Sequence, residues 1–593
     1  MRLSKKLLSI AASVSAAGCA APAQPLTDHR PATIEPFVIA ANPLAAEAGV
    51  NVLRHGGSAV DAAVAVQAML SLVEPQSSGI GGGAFLTYYD AQSQKVSVYD
   101  GREVAPAQAT PGLFLGPDGA PLPFDTAVLS GRATGVPGAV GMLAAAHHER
   151  GRLPWRSLFD DARRTAADGF TVSPRLARLI HADFVENHAP DVLAYFSKAD
   201  GRLLDAGDRL RNPAYAEFLG RLAEHGPSAL YAGSTAAKIV ARTHAVPLGG
   251  SMTMADLANY RPIKREPLCG PYRLYLVCVP PPPSSGVGLL ELLKILEQTD
   301  IAARGPSDPQ AWLLFAEASR LMYADRDQYV ADPAFAAVPT AGLLDPAYIA
   351  TRARLIGPTA GPAPAAGTPG GATVAGADRT LEPTGTSHFI IRDAAGNVVA
   401  MTTTVESIFG TGRMVDGFFL NNQLTDFSFA PRDDQGRPLA NAVAPGKRPR
   451  SSMVPAILLT GDGQFAGAFG SAGGSAILAY VAKAMVAAID WKLPVQQALV
   501  VPNLVARGDS FNGEVTKFSP EILAELRARG IDLKPGQGED SGVHAVMIRD
   551  QGRVDGGYDP RREGVVRILT CADRIGDGRQ ASAVEPLRQP ACN

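Results

Sequence analysis

From residue 357 to residue 385 the chain is built mostly of Gly, Pro, Ala and Thr, with almost no large apolar side chain. Such a stretch cannot bury enough surface to offset its ordering entropy, so it is expected to be exposed and mobile. The sequence then changes abruptly. Residues 387–393 (SHFIIRD), a polar turn at 394–397 and residues 398–404 (VVAMTTT) read as a β-hairpin. This boundary constrains the fold more than any other feature, because a rigid strand pair must begin where a floppy segment ends, with Thr386 at the junction. If the chain is cut before Thr386, the hydroxyl gains a free α-amine as its own base. A threonine ahead of a strand is ordinary by itself, so the junction takes its meaning from its surroundings.

Upstream, residues 41–74 read as two helices, the first capped by Asn42 with Pro43 at its first position and ended by Gly56-Gly57, the second starting at Ser58. The glycines of Ser77-Ser78-Gly79-Ile80-Gly81-Gly82-Gly83-Ala84 contain a dinucleotide-type spacing. A helix precedes it and a strand follows, the reverse of a nucleotide-binding turn, so the glycines are read as close-packing positions. Strands at 84–90 and 95–100 lead to Arg102, which by itself, just past a strand end, reads as a solvated surface charge. Residues 136–330 are mostly helical, with 3.6-residue periodicity at 157–168, 208–224 and 308–326, and read as scaffold. The glycine-rich residues 471–475 precede an apolar helix at 476–489, which makes an anion site without the lysine of a phosphate loop. A helix at 518–530 and a hairpin at 542–557 follow, with 543–549 suited to a central sheet.

The motifs Thr386-Ser387-His388-Phe389, Asn421-Asn422-Gln423 with Asp426-Phe427-Ser428, Lys447-Arg448-Pro449 with Ser451-Ser452-Met453, and Gly470 to Ser475 occur in that order. Through them the chain, from Ala41 on, resembles the γ-glutamyltransferase family of N-terminal-nucleophile hydrolases. The resemblance implies an α/β fold, a four-layer αββα sandwich, forming one structural unit made from two chains after self-cleavage between Gly385 and Thr386. A large subunit of residues 24–385, ending in the linker 357–385, would then form a heterodimer with a small subunit of residues 386–593. Thr386 would be the nucleophile, with Thr404 hydrogen-bonded to it and the Gly473 and Gly474 N–H groups as an oxyanion hole. Arg102, Ser451 and Ser452 would hold a donor's α-carboxylate, and Gln423 and Asp426 its ammonium. Glu406 stands where many members have asparagine, and a carboxylate there still suits an ammonium. No metal or cofactor is implied. The donor would be glutathione-like and the acceptor water or an amino compound. The alternatives are a glutaryl-cephalosporin-acylase-like amidase of the same family and a non-catalytic exported binding protein. Residues 429–447 match a region that forms a lid in some members; here they are short and no aromatic residue lies between Ala430 and Ser452, so an open pocket is expected.

A net charge of −2 gives no electrostatic case for nucleic acid. The first 23 residues read as an export signal, with a basic start at Arg2, Lys5 and Lys6 and an apolar run too short to span a bilayer. Cleavage before Cys19 would make a lipoprotein anchored at that residue, and cleavage after Ala23 a periplasmic or secreted protein. The four other cysteines allow three pairings or four buried thiols, with a lean towards Cys269–Cys278 and Cys571–Cys592 bridges.

Overall fold

The computed structural model describes residues 34–378, 380, 382–383, 385–536 and 541–570. The export signal, Cys19 and the Cys571–Cys592 pair lie outside these residues. Two antiparallel sheets organise the described chain. The first has seven strands in the order Val565–Ile568, Phe37–Ala40, Gly385–Arg392, Val398–Glu406, Gly83–Asp90, Lys95–Gly101 and Ile263–Arg265. The second has six, in the order Val554–Tyr558, His544–Ile548, Phe465–Gly470, Ala456–Leu459, Tyr275–Val279 and Leu268–Tyr272.

Residue parity along the central strands explains the layering, because successive side chains of a strand point to opposite faces. Ile390, Val398 and Ala400 join Ile457, Ala468 and Val546 in one buried cluster between the sheets. Their neighbours Phe389, Ile391, Val399 and Met401 face the other way, onto the helices Pro43–Arg54, Ala59–Val73 and Ala139–Arg150. The outer face of the second sheet, with Leu458, Phe469, Ala545 and Met547, packs on Gly286–Glu297, Pro309–Tyr329 and Ile477–Met485. The result is helix, sheet, sheet, helix, the four-layer sandwich implied by the resemblance. Each large aliphatic side chain buried in these layers contributes roughly 1.5–3 kcal/mol. Thr386 and Thr404 have the same parity as Ile390 and Ala400, so the fold turns both hydroxyls into the space between the sheets.

Local signals read from the sequence reappear. The Asn42 side chain caps Pro43–Arg54, and Ser58 and Asp61 form a capping box at the head of Ala59–Val73. Cys269 and Cys278 face each other across their hairpin and are bonded. Other elements escaped the sequence reading. Ala456–Leu459 and Phe465–Gly470 form the middle of the second sheet, and Phe37–Ala40 lies beside the Gly385–Arg392 strand. These strands are short runs without strict alternation, because both of their faces are covered. The helix expected at 476–489 is met by Ile477–Met485, which continues as a π-turn through Val486–Asp490, and a short strand Phe418–Phe419 follows the central hairpin.

The 357–385 segment departs from expectation at its far end. Much of 357–374 is exposed, but Asp378 and Glu382 are buried, and Gly361, Gly367 and Asp378 donate backbone hydrogen bonds to Glu317, Asp325 and Asp327. The expectation counted apolar side chains only, whereas polar contacts tie this stretch down.

His388 and His544 lie buried between the sheets with ring centroids 6.3 Å apart. Burial pushes both below the ordinary histidine range, His544 from 6.5 to about 4. Because the imidazole takes up its proton near 6.5 in the unfolded chain but only near 4 in the folded one, the fold keeps its full stability above pH 6.5 and loses this contribution as the pH falls towards 4. Acidification through this window is therefore expected to lower the thermal midpoint, with about 3 kcal/mol from His544 alone. His544→Gln should flatten the decline; an unaltered slope would show that other groups control it.

Candidate active site

The backbone runs unbroken from Gly385 into Thr386 at the head of the strand Gly385–Arg392. The adjacent strand carries a bulge: Thr403 pairs with Ser387 and Glu406 with Gly385, so Thr404 and Val405 together oppose Thr386. Glu406 takes a left-handed backbone, φ 82°, to complete it. The bulge re-aims Thr404. Its hydroxyl donates to the Gly385 carbonyl at 2.6 Å, accepts from the Glu406 N–H at 2.8 Å, and lies 3.2 Å from Thr386 Oγ1. Thr386 Oγ1 is itself in close contact with the Gly385 carbonyl oxygen. A hydroxyl, the peptide bond before it and a second hydroxyl polarising that carbonyl are thus assembled in one buried spot. Gly82 permits the bulge, since a Cβ there would fall 1.9 Å from the Thr404 carbonyl oxygen. The close-packing role expected of these glycines is met.

The pocket in front of Thr386 is lined by Arg102, Glu382, Thr404, Glu406, Asp426, Ser451, Ser452 and Gly474, among others. Arg102, fully buried past the strand Lys95–Gly101, donates to the Asp426 carboxylate and, at 2.6 and 3.2 Å, to the carbonyls of Arg450 and Pro449. The sequence reading set Arg102 and Asp426 against opposite charges of a ligand; here they pair with each other. Gln423 Nε2 bridges Glu406 at 2.6 Å and Asp426 at 2.8 Å. Burial and the neighbouring Asp426 push the Glu406 carboxyl well above its usual range. Glu406 Oε1, Gln423 Oε1 and Asp426 Oδ1 find no hydrogen-bond partner among the described residues. Beside a primary ammonium the Glu406 carboxyl would ionise, and the three oxygens would then match the three N–H groups of that cation.

Ser451 is held from both sides by the proline-rich turn, its N–H on the Pro283 carbonyl and its own carbonyl on the Ser285 N–H. Ser452 Oγ donates to Glu382 and accepts from Arg326, both at 2.6 Å. Gly473 and Gly474 adopt positive φ, 128° and 55°, ahead of the helix Ile477–Met485. Gly474 lies against the segment before Thr386, where a Cβ would fall 2.1 Å from the Pro383 carbonyl oxygen. In this uncut chain the Gly385 carbonyl is therefore served by hydroxyls, while the glycine corner is covered by residues 382–383. The openness expected from the short 429–447 segment is not seen either; Thr386 is 3% exposed beneath residues that precede it.

Sequence reasoning passed over several residues of this site. Arg562 donates to the Thr386 carbonyl at 2.8 Å from 176 positions away. Arg326 sits on a helix read as scaffold, and Arg450 and Glu382 were given no role. The only signal they carry in the sequence is their charge, and periodicity does not display that these charges are buried. Among the described residues, no group of three or more His, Cys, Asp or Glu side chains is arranged to hold a metal ion.

Residues 45–569 match the family described as Gamma-glutamyltranspeptidase. The glutathione hydrolase proenzyme of Bacillus subtilis strain 168 is 36% identical over 540 residues, covering 89% of this chain and 90% of that protein. The acylase ACY 1 proenzyme of Pseudomonas sp. strain SE83 is 34% identical, covering 89% and 92%. Among solved structures, the cephalosporin acylase from Bacillus halodurans superposes with a TM-score of 0.77 at 28% identity, covering 92% of this chain and 98% of that one.

Proposed function

The chain belongs to the gamma-glutamyltranspeptidase family, and from that premise we propose that it is an exported, self-cutting γ-glutamyltransferase and γ-glutamyl hydrolase with Thr386 as nucleophile. The observation that carries this reading is the Thr386 hydroxyl in contact with the Gly385 carbonyl while Thr404 donates to the same oxygen. Attack of Thr386 Oγ1 on the Gly385 carbonyl carbon forms a C–O bond, and the Thr404 hydroxyl stabilises the oxyanion. Breakage of the C–N bond passes a proton to the new Thr386 amine and leaves an ester. Water hydrolyses that ester, giving a Gly385 carboxylate and a free Thr386 N-terminus, hence a large and a small subunit.

The α-amine of Thr386, with a reference pKa near 8, then serves as base for the hydroxyl. A γ-glutamyl amide such as glutathione is the donor. Its α-carboxylate is taken by Arg102, Ser451 and Ser452, and its ammonium by Glu406, Gln423 and Asp426. The Gly473 and Gly474 N–H groups receive the oxyanion once residues 382–383 have moved off them. The acyl group passes from Thr386 to water or to an amino acceptor.

An acylase acting on glutaryl amides is the second reading, favoured by the comparable similarity of acylases. The three unpaired oxygens of Glu406, Gln423 and Asp426 argue for the first, because an acyl chain without an amine leaves them unpaired. The test is direct. Self-cut protein is expected to turn over L-γ-glutamyl-p-nitroanilide with a kcat/KM at least about 100-fold above that for glutaryl-p-nitroanilide. Equal or reversed preference would make the protein an acylase.

A further inference from the structure

Glu382 lies four residues before Thr386, and its carboxylate is held by three side chains from elsewhere. Arg326 Nη2 donates to both oxygens at 2.6 and 2.8 Å, Ser452 Oγ at 2.6 Å and Arg450 Nη2 at 3.1 Å. Arg326 and Arg450 are fully buried, and Ser452 and Glu382 are 4% and 8% exposed. Arg326 rises from the helix Pro309–Tyr329, whereas Arg450 and Ser452 flank Ser451. Burial would raise the Glu382 carboxyl, but Arg326, Arg450 and Arg507 hold it far below the usual range.

The location gives this cluster its meaning. Glu382 lines the same pocket as Thr386, Arg102 and Ser451. Only residues 383–385 separate it from the nucleophile, and the next acid upstream, Asp378, also binds Arg450, at 3.1 Å. The segment before Thr386 is poor in apolar side chains, so buried ion pairs do the work that a core would do elsewhere. Displacing a reacting carbonyl by about 1 Å is enough to slow attack by roughly two orders of magnitude.

We propose that Arg326, Arg450 and Ser452 form a carboxylate-binding socket, occupied by Glu382 in the uncut chain, that holds the Gly385 carbonyl in register with Thr386 for self-cleavage. Glu382 acts through position and touches neither reacting atom. Asp327 pairs with Arg326 at 2.9 Å and Asp378 with Arg450 at 3.1 Å, while Glu382 is the acid within hydrogen-bond distance of both guanidinium groups, so its loss leaves buried positive charge in excess, which is costly. The socket therefore selects carboxylates as a class, and a small free carboxylate fits it when the Glu382 side chain is removed. This inference rests on the reading that Thr386 cuts its own chain.

The test follows chain cutting in full-length Glu382→Ala and Glu382→Gln by denaturing gel, with propionate or an equal ionic strength of chloride, alongside thermal midpoints. Glu382→Ala is expected to cut at least about twentyfold more slowly than wild type, and propionate, not chloride, to recover at least about a third of the loss. Glu382→Gln, which keeps the shape and loses the charge, should also be slow. Cutting by Glu382→Ala within about twofold of wild type overturns the socket, and so does slow cutting that propionate leaves unchanged. A wild-type chain that never yields a Thr386 N-terminus sinks the self-cleavage reading; unaffected Glu382 variants beside a wild type that cuts sink the socket alone.

Discussion

A chain carrying Thr386→Ala is expected to stay in one piece and to hydrolyse no γ-glutamyl amide above background. The substitution removes the oxygen that touches the Gly385 carbonyl and leaves Thr404 donating to a bond with no attacking group. Without the cut, Gly474 stays pressed against Pro383 and the Glu382 carboxylate stays in the pocket. Two steps are thus lost through one atom, and turnover should fall by at least about 10⁴-fold. Thr386→Ser, which keeps a hydroxyl, should cut slowly and regain part of the activity. N-terminal sequencing of the smaller wild-type fragment checks the assignment. A wild-type protein that is active while uncut, or a fragment beginning at another residue, would dismiss Thr386 as the nucleophile.

Arg102→Ala and Asp426→Ala are expected to lower kcat/KM for γ-glutamyl donors by roughly 10²–10³-fold while chain cutting continues. The two side chains pair in a site with almost no solvent, 0% and 3% exposed. Loss of Arg102 leaves Glu103, Glu406 and Asp426 clustered without their cation, and burial already holds the Glu103 carboxyl up at about 8. Loss of Asp426 removes both the partner of Arg102 and one of the oxygens assigned to the ammonium. Breaking a buried pair from one side typically costs about 3–5 kcal/mol, which corresponds to this range. Neither residue touches Gly385, so the first reaction should survive. Steady-state kinetics on the self-cut variants decides it: values within about tenfold of wild type would mean that the head group binds elsewhere.

The linear reading reached the central hairpin and the paired helices at 41–74, because each carries its signal locally: a run of β-branched residues, a cap, a glycine pair; Thr404, Gly473 and Gly474 were singled out by the family resemblance instead. It missed the Ala456–Leu459 and Phe465–Gly470 strands, whose doubly covered faces erase alternation. It also missed Arg326, Arg450, Glu382 and Arg562, since a buried charge has no pattern of its own and is defined only by a distant partner.

The sequence by itself determined that Thr386 stands at the head of a hairpin strand and that an apolar-poor segment precedes it, for these follow from residue type and a period of two. Only the tertiary structure decided that Thr404, through a bulge, serves the Gly385 carbonyl, that Arg102 and Asp426 are each other's partners, and that the preceding segment is held by buried arginines. Those facts depend on polar and charged groups brought together across 19 to 324 positions, where burial strengthens each interaction and makes an unpaired group costly.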